Sequence, residues 1–136
     1  MSARVAAVIS TVLLAAVVVF QLALVAGAPW GAWTQGGAVT GALPTSGRVF
    51  AAVSAVILLA FALGLLGRVG WGPLAGHRRL STTLTWIAVA YGVVAVVLNA
   101  ATPSGVERVV WLPFSLVLLA AELTTALASR RDAGRS

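Results

Sequence analysis

The chain contains no cysteine, no lysine and a single histidine, His77. Without thiols there is no disulfide, no thiol redox chemistry, no iron–sulfur cluster and no cysteine-ligated zinc. One histidine cannot supply both axial ligands of a haem, and the sequence offers no metal-ligand cluster, so no metal or cofactor is expected. Charge is scarce as well. Only 9% of the 136 residues are charged, against roughly 25% in a soluble domain. A chain that is 60% hydrophobic, with a mean hydropathy of +1.04, cannot cover its own surface in water. These shortages define an integral membrane protein and leave no length for a separate soluble domain.

The formal net charge of +6 comes from arginine alone. The arginines flank apolar segments and form no basic patch, so they read as membrane-edge anchors and not as nucleic-acid contacts. Abundant Ala, Val, Gly and Arg without lysine is the usage of a GC-rich bacterial genome, which makes the bacterial plasma membrane the expected location. The bilayer is the first partner; a second copy of the chain or another membrane protein is the next.

Hydropathy predicts an all-α fold, a four-helix transmembrane bundle in one domain over 1–136, with spans near 5–26, 49–66, 84–101 and 109–128. The first is read as retained. Ala26-Gly27-Ala28 resembles a signal-peptide cleavage site, but the preceding run is longer than a typical h-region and Pro29 would follow the cut. Ser10 and Gln21 share a face there with Leu14 and Val17, and the Gln21 amide wants a partner on a neighbouring helix. In the second span Thr45 or Ser46 is the expected cap and Gly67 the left-handed finish. Ala60 and Gly64 form a small-xxx-small pair suited to close helix approach. Ser81 is the expected cap of the third helix. Thr85, Ala88, Gly92, Ala95 and Asn99 share an arc, with Tyr91 at its margin, opposite Ile87, Val94, Val97 and Leu98.

The fourth helix carries a polar stripe. At about 100° per residue, Glu107, Trp111, Ser115, Leu118, Glu122, Thr125 and Ser129 fall within a narrow arc, with Val109, Leu112, Leu116, Leu123 and Leu127 opposite. Polar atoms in lipid turn towards other helices. Glu122 lies roughly 12 Å along the helix from Arg130, so its expected partners are Thr82 or Thr85, or Arg78 and Arg79. A buried structural contact is preferred over proton handling. Ser104-x-x-Glu107 matches a capping box, and Pro113 removes one backbone bond within the helix. The tail with Arg130, Arg131, Asp132 and Arg135 is expected to fray.

Of the connections, 27–47 is the longest. Its two prolines and clustered glycines exclude helix and predict turns or a short hairpin. Trp30 and Trp33 within it read as aromatic-belt residues, or else as outer-loop ligand contacts. His77, alone in the basic 68–80 connection, reads as solvated. Arginines number seven on the N-terminus, the second connection and the tail, against Arg48 and Arg108 on the other two connections. That asymmetry predicts cytoplasmic termini. The first and third connections then meet on the outer face, where Glu107 is expected to oppose Arg48 with Gln21 or Asn99 nearby.

Gly27-Ala28-Pro29-Trp30-Gly31, Gly36-Gly37, Leu43-Pro44 and Arg48, followed by Asn99, Thr102-Pro103-Ser104, Glu107-Arg108 and Trp111-x-Pro113, resemble a group of small four-span bacterial membrane proteins with no assigned activity. The resemblance implies fold and topology and no chemistry. Small multidrug exporters fit less well, because their essential glutamate lies in the first span. The quinone-reducing family that recycles vitamin K requires paired cysteines.

The expected function is a small multi-pass membrane protein, non-catalytic, that binds a lipid, a small ligand or a membrane partner. The alternative is a small transporter or channel subunit that uses the polar stripe. A lipid- or quinone-directed membrane enzyme stands third, with no catalytic residue assigned. The candidate ligand or ion pathway comprises Gln21, Arg48, Tyr91, Asn99, Glu107, Trp111, Ser115 and Glu122.

Overall fold

The computed structural model describes residues 1–133, with side chains to residue 128. It is a bundle of four helices, α1 (Ala3–Val25), α2 (Thr45–Arg68), α3 (Arg78–Ala101) and α4 (Gly105–Ala133), with no strand among the described residues. Each is long and apolar enough to cross a membrane. Each packs on its sequence neighbours and α1 closes the ring against α4, which is up-and-down topology. The backbone stays helical through Arg130, Arg131 and Asp132, where fraying was expected; the side chains of these residues and of Ser129, and Arg135 altogether, lie outside the described residues.

Helix ends depart from the expected caps. Ser2 caps α1, accepting the Val5 N–H at 3.3 Å. The helix ends in a Schellman turn in which Gly27 takes φ 99° while Ala28 N–H donates to Ala23 C=O and Gly27 N–H to Leu24 C=O. The N-cap of α2 is Pro44, without a side-chain cap bond; its extended backbone (ψ 167°) presents the carbonyl that accepts Arg48 N–H. Thr45 and Ser46 therefore lie inside the helix. Gly67 is also helical, and the left-handed residue is Gly70 (φ 83°), which closes a second Schellman turn with Trp71 N–H on Leu66 C=O. Likewise α3 begins at Arg78, and Ser81 donates its hydroxyl to Leu74 C=O at 2.9 Å, tying the helix to the preceding turn.

Without a hydrophobic force between helices in lipid, close packing and buried polar contacts hold the bundle. Helices α2 and α3 approach where side chains are smallest. A Cβ on Gly64 would meet Leu84 Cβ at 2.5 Å, and one on Gly67 would strike Ser81 Oγ and the Leu74 backbone. Leu14, Leu58, Phe61, Ala62, Leu65 and Ala88 form the core beside this seam. The periodic faces fall as expected. Thr85, Ala88 and Gly92 are buried, as are Ser115, Glu122 and Thr125, whereas Val94, Val97, Val109 and Leu116 face outward. Burial along α3 is one-sided: every buried residue of that helix lies between 81 and 92. Beyond Gly92 it has no buried side chain on which the bundle closes.

Candidate ligand-binding cavity

A cavity of about 540 Å³ occupies the end of the bundle where α3 leaves the core. Its depth is lined by Leu14 of α1, Leu58 of α2, Tyr91 of α3 and Leu118 of α4, and its mouth by Thr34, Gln35, Gly36, Thr102 and Glu107. The walls between are mainly apolar and aromatic, with Phe20, Phe50, Ala95, Leu98 and Phe114. Phe50, Tyr91 and Leu98 line the cavity while exposing 62%, 45% and 63% of their surface. These three side chains carry part of the cavity wall to the outer surface of α2 and α3.

The mouth is built by docking of two connections. The long one folds into two short 3-10 turns, Gly31–Trp33 and Gln35–Gly37, in place of a hairpin. One backbone bond crosses it, from Gly31 N–H to Gly41 C=O at 3.0 Å, and a Cβ at Gly31 would lie 2.6 Å from two carbonyl oxygens. Gln35, Gly36 and Gly37 all have positive φ (54°, 82° and 70°). Glycine adopts such angles freely, so only Gln35 is strained in this turn. Gln35 holds it by donating its amide to Gly47 C=O at 3.1 Å.

This turn aims Gly36 N–H at Glu107 Oε1, 3.4 Å away, while Gly37 lies against Ser104. Glu107 Oε2 accepts the Thr102 hydroxyl at 2.7 Å. Only half of the expected capping box forms. Ser104 Oγ accepts Glu107 N–H, but Ser104 N–H donates to Thr102 Oγ1, because the carboxylate is engaged across the mouth. The expected pairing of Glu107 with Arg48 is not formed. Arg48 donates Nε–H to Leu43 C=O at 3.0 Å and lies over Gly27, at the negative end of the α1 dipole. A nearby carbonyl and a helix terminus hold the guanidinium without a carboxylate.

Of the sequence candidates, Gln21, Tyr91, Asn99, Glu107, Trp111 and Ser115 all line this cavity. Asn99 donates its amide to Trp111 C=O at 3.3 Å, joining α3 to α4, and Trp111 donates its indole N–H to Trp33 C=O at 2.6 Å. Gln21 Oε1 is buried without a hydrogen-bond partner, so the expected helix-to-helix bond is not made. Trp30 is half exposed and stacks on Phe20 at 5.8 Å; Trp33 is equally exposed. Arg48 and Glu122 stand apart from the cavity. Glu122 is buried at 2% exposure, with Oε2 lacking a hydrogen-bond partner and pressed on Gly92. The hydroxyls of Thr82 and Thr85 bond to their own helix, at Arg78 C=O and Ser81 C=O, and Arg78 and Arg79 remain exposed.

Sequence reasoning assigned no site role to Phe20, Gly36, Thr102 and Phe114, which line the cavity. Gly36 and Thr102 stood out only in the motifs that carry the resemblance, and Phe20 was one apolar residue among many. The distance between Gly36 and Glu107 in the chain gave no signal.

Fold and cavity together define a multi-pass membrane protein with a ligand-sized chamber between its helices. Comparison with protein-family models, with curated protein sequences and with solved structures finds no match to this chain.

Proposed function

We propose that the protein is a non-catalytic membrane protein of the bacterial plasma membrane that binds a small amphipathic ligand between its helices, and that it belongs to the uncharacterised four-span bacterial group its motifs resemble. The observation that carries this reading is the shape of the 540 Å³ cavity, apolar in depth and polar at the mouth. Ligand pockets of a few hundred cubic ångströms with a few convergent polar groups are the usual form of small-molecule sites. The polar rim at the level of the docked connections and the apolar depth match a molecule lying with its head at the interface and its tail in the bundle.

The test is extraction of the purified protein and mass analysis of what it carries. Ala95→Trp fills the cavity from its wall. A bound amphiphile in the wild type that the folded variant loses is expected. A wild type that carries nothing beyond what the variant carries would overturn the reading.

A second reading, a small transporter or channel subunit, draws support from Glu122, since intramembrane acids commonly mark ion pathways. Proteoliposome flux that Glu122→Gln abolishes in a normally folded protein would favour it.

A further inference from the structure

We infer that the cavity takes amphiphiles with a cationic, hydrogen-bond-donating head, an aliphatic ammonium group seated at Glu107. The inference rests on the binding reading above and names its ligand class. Glu107 is only 8% exposed and, among the described residues, is the one formally charged group lining the cavity; no arginine and no histidine lines it. Its carboxylate has hydrogen bonds from Thr102 and Gly36 and pairs with no cation among the described residues. The arginines on the two docked connections are engaged by carbonyls, Arg48 by Leu43 and Arg108 by Thr102. A largely buried carboxylate without a counter-charge, in a chain of net charge +6, leaves a place for a cation supplied from outside.

The surrounding chemistry agrees. The Gly36, Thr102, Asn99 and Trp111 donors at this end are already directed at protein acceptors. Gln21 Oε1, by contrast, is a buried acceptor with nothing to accept. An ammonium head supplies the donors this end lacks. Aromatic rings line the same cavity: Trp111, one turn beyond Glu107, packs with Phe20 at 5.1 Å and Phe114 at 5.5 Å. Such rings attract cations that have lost their water. A carboxylate or phosphate head would face Glu107, and no cationic side chain lines the cavity to compensate it.

Four probes with the same twelve-carbon tail separate the possibilities: dodecylamine, dodecyltrimethylammonium, 1-dodecanol and dodecanoate. Each is titrated at pH 7, where the amine is protonated, against the full chain in nanodiscs of zwitterionic lipid, with binding read by tryptophan fluorescence and native mass spectrometry. Dodecylamine is expected to bind tightest, the trimethyl compound next because it has charge without donors, dodecanol weakly and dodecanoate least. Glu107→Gln is expected to weaken dodecylamine about tenfold or more, while dodecanol changes within about twofold and so reports an intact cavity. Dodecanol or dodecanoate matching the amine, or amine affinity indifferent to Glu107→Gln, would overturn the inference and leave the binding reading standing. Should Glu107→Gln fail to fold, the order of the four heads on the wild type decides alone. If no probe binds, the binding reading fails and the inference falls with it.

Discussion

At the scale of single residues, the bundle is governed by where a side chain is missing. Gly67 allows Ser81 and Leu74 to close over α2, so Gly67→Ala puts a methyl within 2.9 Å of a backbone carbonyl that cannot rotate away. A loss of about 1–3 kcal/mol is expected, as for overpacking. At Gly76 an added methyl would meet no atom within 4 Å, and Gly76→Ala is expected within about 0.5 kcal/mol of the wild type; unfolding in detergent compares the two. Gly92 and Glu122 form a second such pair. A methyl at 92 would lie 2.8 Å from Glu122 Oε2 and 3.2 Å from Leu119 Cδ1. Gly92→Ala is therefore expected to destabilise the wild type and to do so less in a Glu122→Ala background. A double-mutant cycle should give a favourable coupling of about 0.5–3 kcal/mol. A coupling near zero would mean that the acid and the glycine do not share their space.

At the scale of elements, the faces of the helices were legible and their ends were not. The 3.6-residue period placed Thr85, Ala88 and Gly92 inward and Val97 outward, because a helix in lipid can satisfy its polar side chains in only one direction. Caps follow other rules. Pro44 started α2 through its backbone carbonyl, and Ser81 was drawn to Leu74 by tertiary contact, neither of which a local motif reports. The Glu107–Arg48 expectation failed because charge sign alone does not say whether a carbonyl or a helix end lies nearer to the guanidinium. Six residues of the candidate pathway gathered in one cavity, yet the cavity itself was invisible in the sequence. It lies where α3 carries no fully buried side chain beyond Gly92 and is tied to α4 through Asn99, a matter of how the helices pack that composition does not report. Ser104 is the local motif that did act. Ser104→Ala removes the acceptor of Glu107 N–H and is expected to lower stability by about 1 kcal/mol, measured as a shift in the unfolding midpoint.

At the scale of the whole molecule, the bundle has two chemically different ends. Arg4 lies over the Trp71 ring at 6.0 Å, which brings the N-terminus together with the α2–α3 connection and its Arg68, Arg78 and Arg79. Arg48 and Arg108 belong to the opposite end, where the cavity opens and both are held by carbonyls. Arginines near the ends of short connections favour the cytoplasmic side. The expected orientation has the arginine-rich end inside and the cavity mouth outside. Reporter fusions after Gly41 and after Ser136 should then report opposite compartments, periplasmic and cytoplasmic in that order. The even number of spans requires Met1 and Ser136 to share a side, so a reporter at residue 1 checks the count independently of the orientation. If the Gly41 fusion is cytoplasmic while both termini report outside, the bundle stands inverted. The mouth would then open at the inner leaflet, with the cavity chemistry unchanged.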